Sequence, residues 1–235
     1  MANALDTAGK QEREFHNGNS TIPQFHNSTI IVNALTFSRL PLTFAWLGFA
    51  IAAEYGCGLW AAIAALVALF LSGITDFFDG SLARRWNVVT PLGKMADPLM
   101  DKAVYVVVFP SLTWLLLRHE GGEWHSLLML AFTILYTLRD LWVTFLRAVA
   151  SLYGAPTGAM WLGKVRTALT FPTAGLVYLY ISLMPFIGRT LDAWLLGICY
   201  FAEVSMIILN VVSFVTYTRV YSPYLKKALE RGRDL

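Results

Sequence analysis

The sequence predicts an all-α integral membrane protein: a bundle of six transmembrane helices, preceded by a segment suited to a helix lying in the interface. Three observations carry this. Charged residues make up 14% and hydrophobic residues 57% of the chain, against roughly 25% charged in an ordinary soluble domain, and the mean hydropathy is +0.56. The apolar residues gather into six runs, each long enough to cross a hydrocarbon core of ~30 Å as a helix. The cations, finally, sit in alternate connections. At ~20 residues per span, 235 residues hold six crossings in one domain, read as a polar tail over 1–20, a membrane domain over 21–220 and a basic tail over 221–235.

In chain order, Met1 to Ser28 is polar and carries Lys10, Glu12, Arg13 and Glu14, without the positive region, apolar core and cleavage site of a signal peptide. It reads as a cytosolic tail. Ser20 to Ile31 mixes polar residues with Ile22, Phe25, Ile30 and Ile31, a pattern an interfacial helix can use. The spans are then expected at 33–54, 58–83, 97–118, 124–151, 162–185 and 191–218. Their connections, at Gly56 and Gly58, 84–93, 119–123, 153–160 and 185–189, are short. Neighbouring helices should therefore be antiparallel.

Positive residues favour the cytoplasmic side of a membrane. Arg84, Arg85 and Lys94 lie in the second connection, Lys164 and Arg166 follow the fourth, and Arg219, Lys226, Lys227, Arg231 and Arg233 follow the sixth. With six spans all of these fall on one face, which places both termini in the cytoplasm of a bacterial cell. The basic C-terminal segment suits anionic headgroups. No basic run is interleaved with exposed aromatics, so nucleic acid is not an expected partner. Cys57 and Cys199 are too far apart in sequence for a metal or disulfide framework and are expected to pack. His16, His26, His119 and His125 fall in tails or connections and read as solvated surface. Glu203 and Asn210, seven apart in the last span, are expected to share a face and make interhelical hydrogen bonds.

The chemistry gathers in DFFDGSLARRWNVVTPLGKMADPLMDK, residues 76–102. Each Asp inside a membrane helix costs ~2.5–3.5 kcal/mol on insertion scales, and four stand here. Asp76 and Asp79 are three apart, Asp97 and Asp101 four apart, so each pair occupies one helix face, and the connection at 84–93 turns the two faces together. Such oxygen-rich acid suits hard divalent cations, Mg²⁺ or Mn²⁺, and two ions would balance the charge. Gly80 and Ala83 leave a bare helix patch, Gly93 opens room opposite, and the fork of Arg84 suits a phosphate. Two other readings fit clustered membrane acids. One is a static ion-pair network with Arg84, Arg85, Lys94 and Lys102; the other is an ion path, as in a divalent-cation transporter. Neither uses Gly80 and Ala83.

Written as DxxDGxxAR from Asp76 to Arg84 and GxxxDxxxD from Gly93 to Asp101, the stretch resembles the signature of the CDP-alcohol phosphotransferase family, with every fixed position filled. The resemblance implies a six-helix membrane fold, a homodimer, and transfer of a substituted phosphate from a CDP-linked donor to an alcohol with release of CMP. It further implies Asp76, Asp79, Asp97 and Asp101 as metal ligands, Asp101 also as general base, and Gly80, Ala83, Arg84 and Gly93 around the cytidine diphosphate.

Asn33, Leu35, Thr36 and Arg39 form NxLTxxR, which with LGKMADPLMDK, LRDLWVTFLR (138–147) and LGKVRTAL (162–169) resembles the phosphatidylglycerophosphate-synthase subgroup. That subgroup implies CDP-diacylglycerol as donor and glycerol 3-phosphate as acceptor, with Asn33 and Thr36 added to the CDP pocket. Inositol phosphate, the acceptor of a phosphatidylinositol-phosphate synthase, is the alternative. Arg139 and Arg147, eight apart, project from roughly one helix face, and Lys164 and Arg166 open the next span. Cations within a membrane segment need an anion, and a phosphate-bearing acceptor supplies one. Snorkelling, or pairing of Arg139 with Asp140, is the competing reading.

Overall fold

A computed structural model describes residues 22–231, apart from 87, 89, 90, 120, 156, 157, 159 and 187, and leaves the side chains of 22–28, 76, 77, 79, 83, 84, 91, 92, 94 and 231 outside the described set. Every regular element among the described residues is helical. α1 spans Ile22–Ala52, α2 Gly58–Arg85, α3 Pro91–Leu117, α4 Glu123–Ser151, α5 Trp161–Leu183 and α6 Arg189–Arg231, with a π-helical turn at Ala53–Cys57 and a 3₁₀ turn at Met184–Phe186.

Among the described residues five apolar stretches are long enough to cross a membrane, and the first, Thr29–Leu82, covers 54 residues. As one rod this stretch would measure about 80 Å at ~1.5 Å per residue, far beyond a ~30 Å core. Its helix is broken instead: Gly56 has φ 106° and Gly58 φ 63°, a region open to glycine and closed to most other residues. Past the break the chain comes back on itself, because Thr43 of α1 meets Ser72 of α2 at 3.3 Å.

Several boundaries move from the sequence expectation. The expected interfacial segment runs unbroken into α1 from Ile22. The 84–93 connection shortens, since α2 continues to Arg85 and α3 already begins at Pro91; Gly93 therefore sits in a first helical turn. α6 continues past the apolar run to Arg231, 43 residues or about 65 Å of helix.

The chain forms two compact units, Met1–Ala45 with Ala68–Val104, and Trp46–Val67 with Tyr105–Leu235. In the first, α1 buries Val32, Thr36, Arg39 and Thr43, a 4-3-4 spacing that marks one helix face. Three of those four are polar. The hydroxyls of Thr36 and Thr43 donate to carbonyls one turn back, Val32 at 3.2 Å and Arg39 at 2.7 Å, which satisfies them inside an apolar phase.

In the second unit the face is longer. α4 buries His125, Met129, Phe132, Tyr136, Arg139, Val143, Leu146 and Ala150, while α6 buries Cys199, Glu203, Met206, Asn210, Ser213, Tyr217 and Tyr221. The α4 series throughout, and the α6 series as far as Tyr217, alternate steps of four and three, the 3.5-residue repeat of helices that pack side by side. The contacts 125–203, 139–213 and 147–217 rise together, so α4 and α6 run parallel. α5 runs against α6, since Met160, Arg166 and Leu176 meet Tyr217, Asn210 and Cys199 in turn, and so against α4 as well, pairing Arg166 with Asp140. Phe70, Leu141, Phe201 and Ile208 point outward, a surface suited to lipid rather than water.

Candidate functional site

In the first unit the acid pair of α3 is held from α1. Arg39, with 1% of its side chain exposed, donates from Nη2 to Asp97 Oδ1 at 2.8 Å and from Nη1 to Asp101 Oδ1 at 2.6 Å. One planar fork thus spans two carboxylates a helical turn apart, a short charge-assisted geometry. Asp97 remains 51% exposed and Asp101 32%, so Arg39 does not enclose the pair. Pro98, between them in sequence, removes a rung of the α3 ladder at this turn. The cation shown to meet these carboxylates is Arg39, which the sequence reading had not offered for an ion-pair network; the side chains of Arg84 and Lys94 lie outside the described residues. A lone arginine in NxLTxxR was the available signal.

Asp76 and Asp79 lie on α2, with their side chains outside the described residues, as are those of Ala83 and Arg84. Gly80 and Gly93 are half-buried, as is Asn33, and Thr36 is buried. Among the described residues no three His, Cys, Asp or Glu side chains gather at one point. The described pair nonetheless suits a hard divalent ion: its donors are all carboxylate oxygen, one turn apart, partly exposed and oriented by a shared hydrogen-bond donor.

In the second unit Arg139, Arg147 and Arg166 converge. Arg139 Nη1 donates to Asp140 Oδ1 at 3.0 Å, and Arg166 Nη2 to the same oxygen at 2.6 Å. Arg139 also bonds Ser213, and Arg166 Nη1 donates to Asn210 Oδ1 at 3.2 Å. The rest of the cage is aromatic. Tyr217, fully buried, has the guanidiniums of both Arg139 and Arg147 at 5.0 Å from its ring, while Arg166 lies 4.4 Å from the Tyr136 ring, distances at which a ring face attracts a cation. The Tyr217 hydroxyl accepts from Arg147 Nη2 at 2.8 Å and from the Met160 backbone N–H at 3.0 Å. A Cβ at Gly163 would stand 2.8 Å from that oxygen, so the start of α5 approaches Tyr217 as closely as glycine permits. Arg139 and Arg166 share the Asp140 carboxylate, while Arg147 meets no carboxylate among the described residues, so three guanidiniums stand beside one described acid; the Nε atoms of all three are buried without a partner among the described residues.

Arg139, Arg147 and Arg166, expected at an acceptor site, are thus brought together, and Arg139 also makes the pairing with Asp140 that was the competing reading. Lys164 is exposed on α5, and its side chain makes no hydrogen bond or ion pair among the described residues. Tyr217, Ser213 and Asn210 complete the cage. Asn210 makes the interhelical bond expected of it; Tyr217 carries no expectation from the sequence.

His125 corrects the sequence reading. It lies inside α4, 1% exposed, with Nε2 3.0 Å from Oε2 of the fully buried Glu203, because α4 begins at Glu123 and turns His125 onto its packed face. His119 is half-buried and meets Glu54 at 3.2 Å; His16 and the side chain of His26 lie outside the described residues. Cys199 is buried as expected, but Cys57 is exposed beside the Gly56 break.

A model of the CDP-alcohol phosphatidyltransferase family matches residues 29–201. The chain belongs to this family. As a CDP-alcohol phosphatidyltransferase it is an enzyme, a membrane-bound transferase of phospholipid synthesis, and the matched range takes in both acid pairs and Arg39, Arg139, Arg147 and Arg166. Asn210, Ser213 and Tyr217 lie beyond it. The CDP-diacylglycerol–glycerol-3-phosphate 3-phosphatidyltransferase of Rickettsia felis is 34% identical over 152 residues, 65% of this chain and 72% of the relative. That of Escherichia coli K12 is 29% identical over 147 residues, 57% of this chain and 75% of the relative. A cardiolipin synthase (CMP-forming) of Streptomyces coelicolor is 42% identical over 67 residues, 28% of this chain and 30% of the relative, so here the chain spans under a third of the protein it matches.

Proposed function

We propose that this CDP-alcohol phosphatidyltransferase moves a phosphatidyl group from CDP-diacylglycerol to glycerol 3-phosphate, forming phosphatidylglycerophosphate and releasing CMP. The observation that carries the choice of acceptor is the cage of Arg139, Arg147 and Arg166. Among the described residues these three cations, two of them buried and Arg147 half-buried, face one carboxylate, and the excess positive charge in a partly aromatic setting calls for an anion of about the charge of a phosphate monoester. A neutral alcohol would leave them unbalanced. Lys164, at the mouth of α5, adds a mobile cation to the same role.

The reaction forms a bond between the acceptor hydroxyl oxygen and the β-phosphorus of the donor, and breaks the bond from that phosphorus to the bridging oxygen, which leaves with CMP. Asp101 takes the hydroxyl proton. Asp76, Asp79, Asp97 and Asp101 hold Mg²⁺ or Mn²⁺, two ions on charge balance, and bound metal supplies charge stabilisation for the pyrophosphate and the departing CMP. Asn33, Thr36, Gly80, Ala83, Arg84 and Gly93 make room for the cytidine diphosphate. The site opens to the cytoplasmic side with both termini there, supported by the one-sided loop cations.

Purified enzyme given CDP-diacylglycerol and Mg²⁺ is tested with glycerol 3-phosphate, inositol 1-phosphate, phosphatidylglycerol, glycerol and serine, scoring labelled lipid and CMP. Product with glycerol 3-phosphate well above the others is expected. Preference for a neutral alcohol would refute the reading of the cage.

A further inference from the structure

Arg39 joins all three helices of the first unit. Its guanidinium reaches both carboxylates of α3. Its carbonyl accepts from Thr43 Oγ1 at 2.7 Å and from Ser72 Oγ of α2 at 3.4 Å, and Ser72 stands one turn before Asp76. The side chain is 1% exposed, so its charge is not dispersed into water, and a fork engaged at both tips cannot turn without releasing one carboxylate.

We propose that Arg39 is the resident counter-cation and the positioning residue of this acid pair: it fixes the mutual orientation of Asp97 and Asp101, and its charge opposes any divalent ion they take up. This rests on the metal-site reading above. Two effects of the same guanidinium then separate. As a charge within a few ångströms of a divalent ion it repels that ion, and the repulsion grows as the surroundings become less polar. As a double donor it determines how the two carboxyl groups face, which matters to Asp101 in accepting a proton, because transfer demands hydrogen-bond geometry. Removing Arg39 should therefore tighten metal binding while slowing turnover. A plain structural strut predicts the opposite for the metal, since its loss would let the ligands drift.

The test uses the full chain in a neutral detergent with Mn²⁺ alone as probe, bound ion being measured from the loss of the free-Mn²⁺ electron paramagnetic resonance signal, and CMP release measured separately. Arg39→Gln is expected to bind Mn²⁺ at least tenfold more tightly than wild type and to turn over at least tenfold more slowly. Arg39→Lys keeps the charge but not the fork, so it should bind Mn²⁺ as wild type does and still turn over slowly. Mn²⁺ affinity that is unchanged or weaker in Arg39→Gln overturns the counter-cation role; wild-type turnover in Arg39→Lys overturns the positioning role, and does so even if Arg39→Gln fails to fold. Wild type that takes up no Mn²⁺, or Asp97→Asn that binds it equally well, removes the metal reading and this inference together. Metal binding that depends on Asp97 but ignores Arg39 sinks only the inference.

Discussion

Replacing Tyr217 with phenylalanine keeps the ring between Arg139 and Arg147 and removes one oxygen. That oxygen accepts two hydrogen bonds, from Arg147 Nη2 at 2.8 Å and the Met160 N–H at 3.0 Å, in a side chain with no exposed surface. A buried N–H left without its acceptor costs about 1–3 kcal/mol, and a charged donor about 1.5–3 kcal/mol. Arg147 is half-buried and can turn toward water, so its share belongs at the low end. We expect a loss of about 2–3 kcal/mol in stability, read as a lower thermal midpoint in detergent. If about 1.4 kcal/mol of that loss is the freedom regained by Arg147, the acceptor binds about tenfold more weakly. The assay is CMP release at saturating CDP-diacylglycerol with glycerol 3-phosphate varied. KM for the acceptor should rise about tenfold, with kcat and the donor KM little changed. An acceptor KM within twofold of wild type, or a loss confined to kcat, would refute the claim that Tyr217 sets Arg147 for the acceptor.

Asp101→Asn keeps a partner for Arg39 but no longer takes up a proton; turnover should fall by about 10²–10⁴, the usual contribution of a general base, and single-turnover measurements at wild-type rates would remove Asp101 from that role. Chelation of divalent ions should stop CMP release, with Mg²⁺ or Mn²⁺ restoring it; activity that persists after exhaustive chelation and dialysis contradicts the metal reading. At the His125–Glu203 contact, 3.0 Å in the fully packed α4–α6 seam, truncating either partner to alanine should cost about 1–3 kcal/mol because the other is left as a buried polar group without its neighbour. The double replacement His125→Phe with Glu203→Leu should recover much of this, and additive losses in that cycle would show the two to be independent.

Much of the fold could be read from hydropathy alone, because an apolar run of membrane length admits few backbones other than a helix. The positions of Gly56 and Gly58 also announced the first turn. Harder to read were residues whose meaning lies in a partner distant in sequence. Arg39 finds its carboxylates 58 and 62 positions away, and alone in an apolar span it looks like any cation near a membrane surface. His125 follows Gly121, Gly122 and Glu123, a polar cluster at the edge of the expected span, where an imidazole reads as solvated; what the hydropathy does not show is that the first turn of α4 rotates it inward onto Glu203. Tyr217 sits near the end of the last apolar run, where tyrosines commonly mark the interface; only the 3.5-residue series from Cys199 through Ser213 places it on the packed face. The sequence did group Arg139, Arg147 and Arg166, since cations in apolar helices are costly wherever they fall. It could not show that one tyrosine would serve two of them.

That sharing has a thermodynamic side. Arg139 and Arg147 press on one ring, and Arg139 and Arg166 crowd one carboxylate oxygen, so like charges are held together by the helices that bear them. Their mutual repulsion is a tension on the seams joining α4, α5 and α6, and an anion entering the cage relieves it. If the cage takes the acceptor as proposed, the substrate's phosphate would act as a missing piece of the fold, and the enzyme would be most stable when occupied with its reaction.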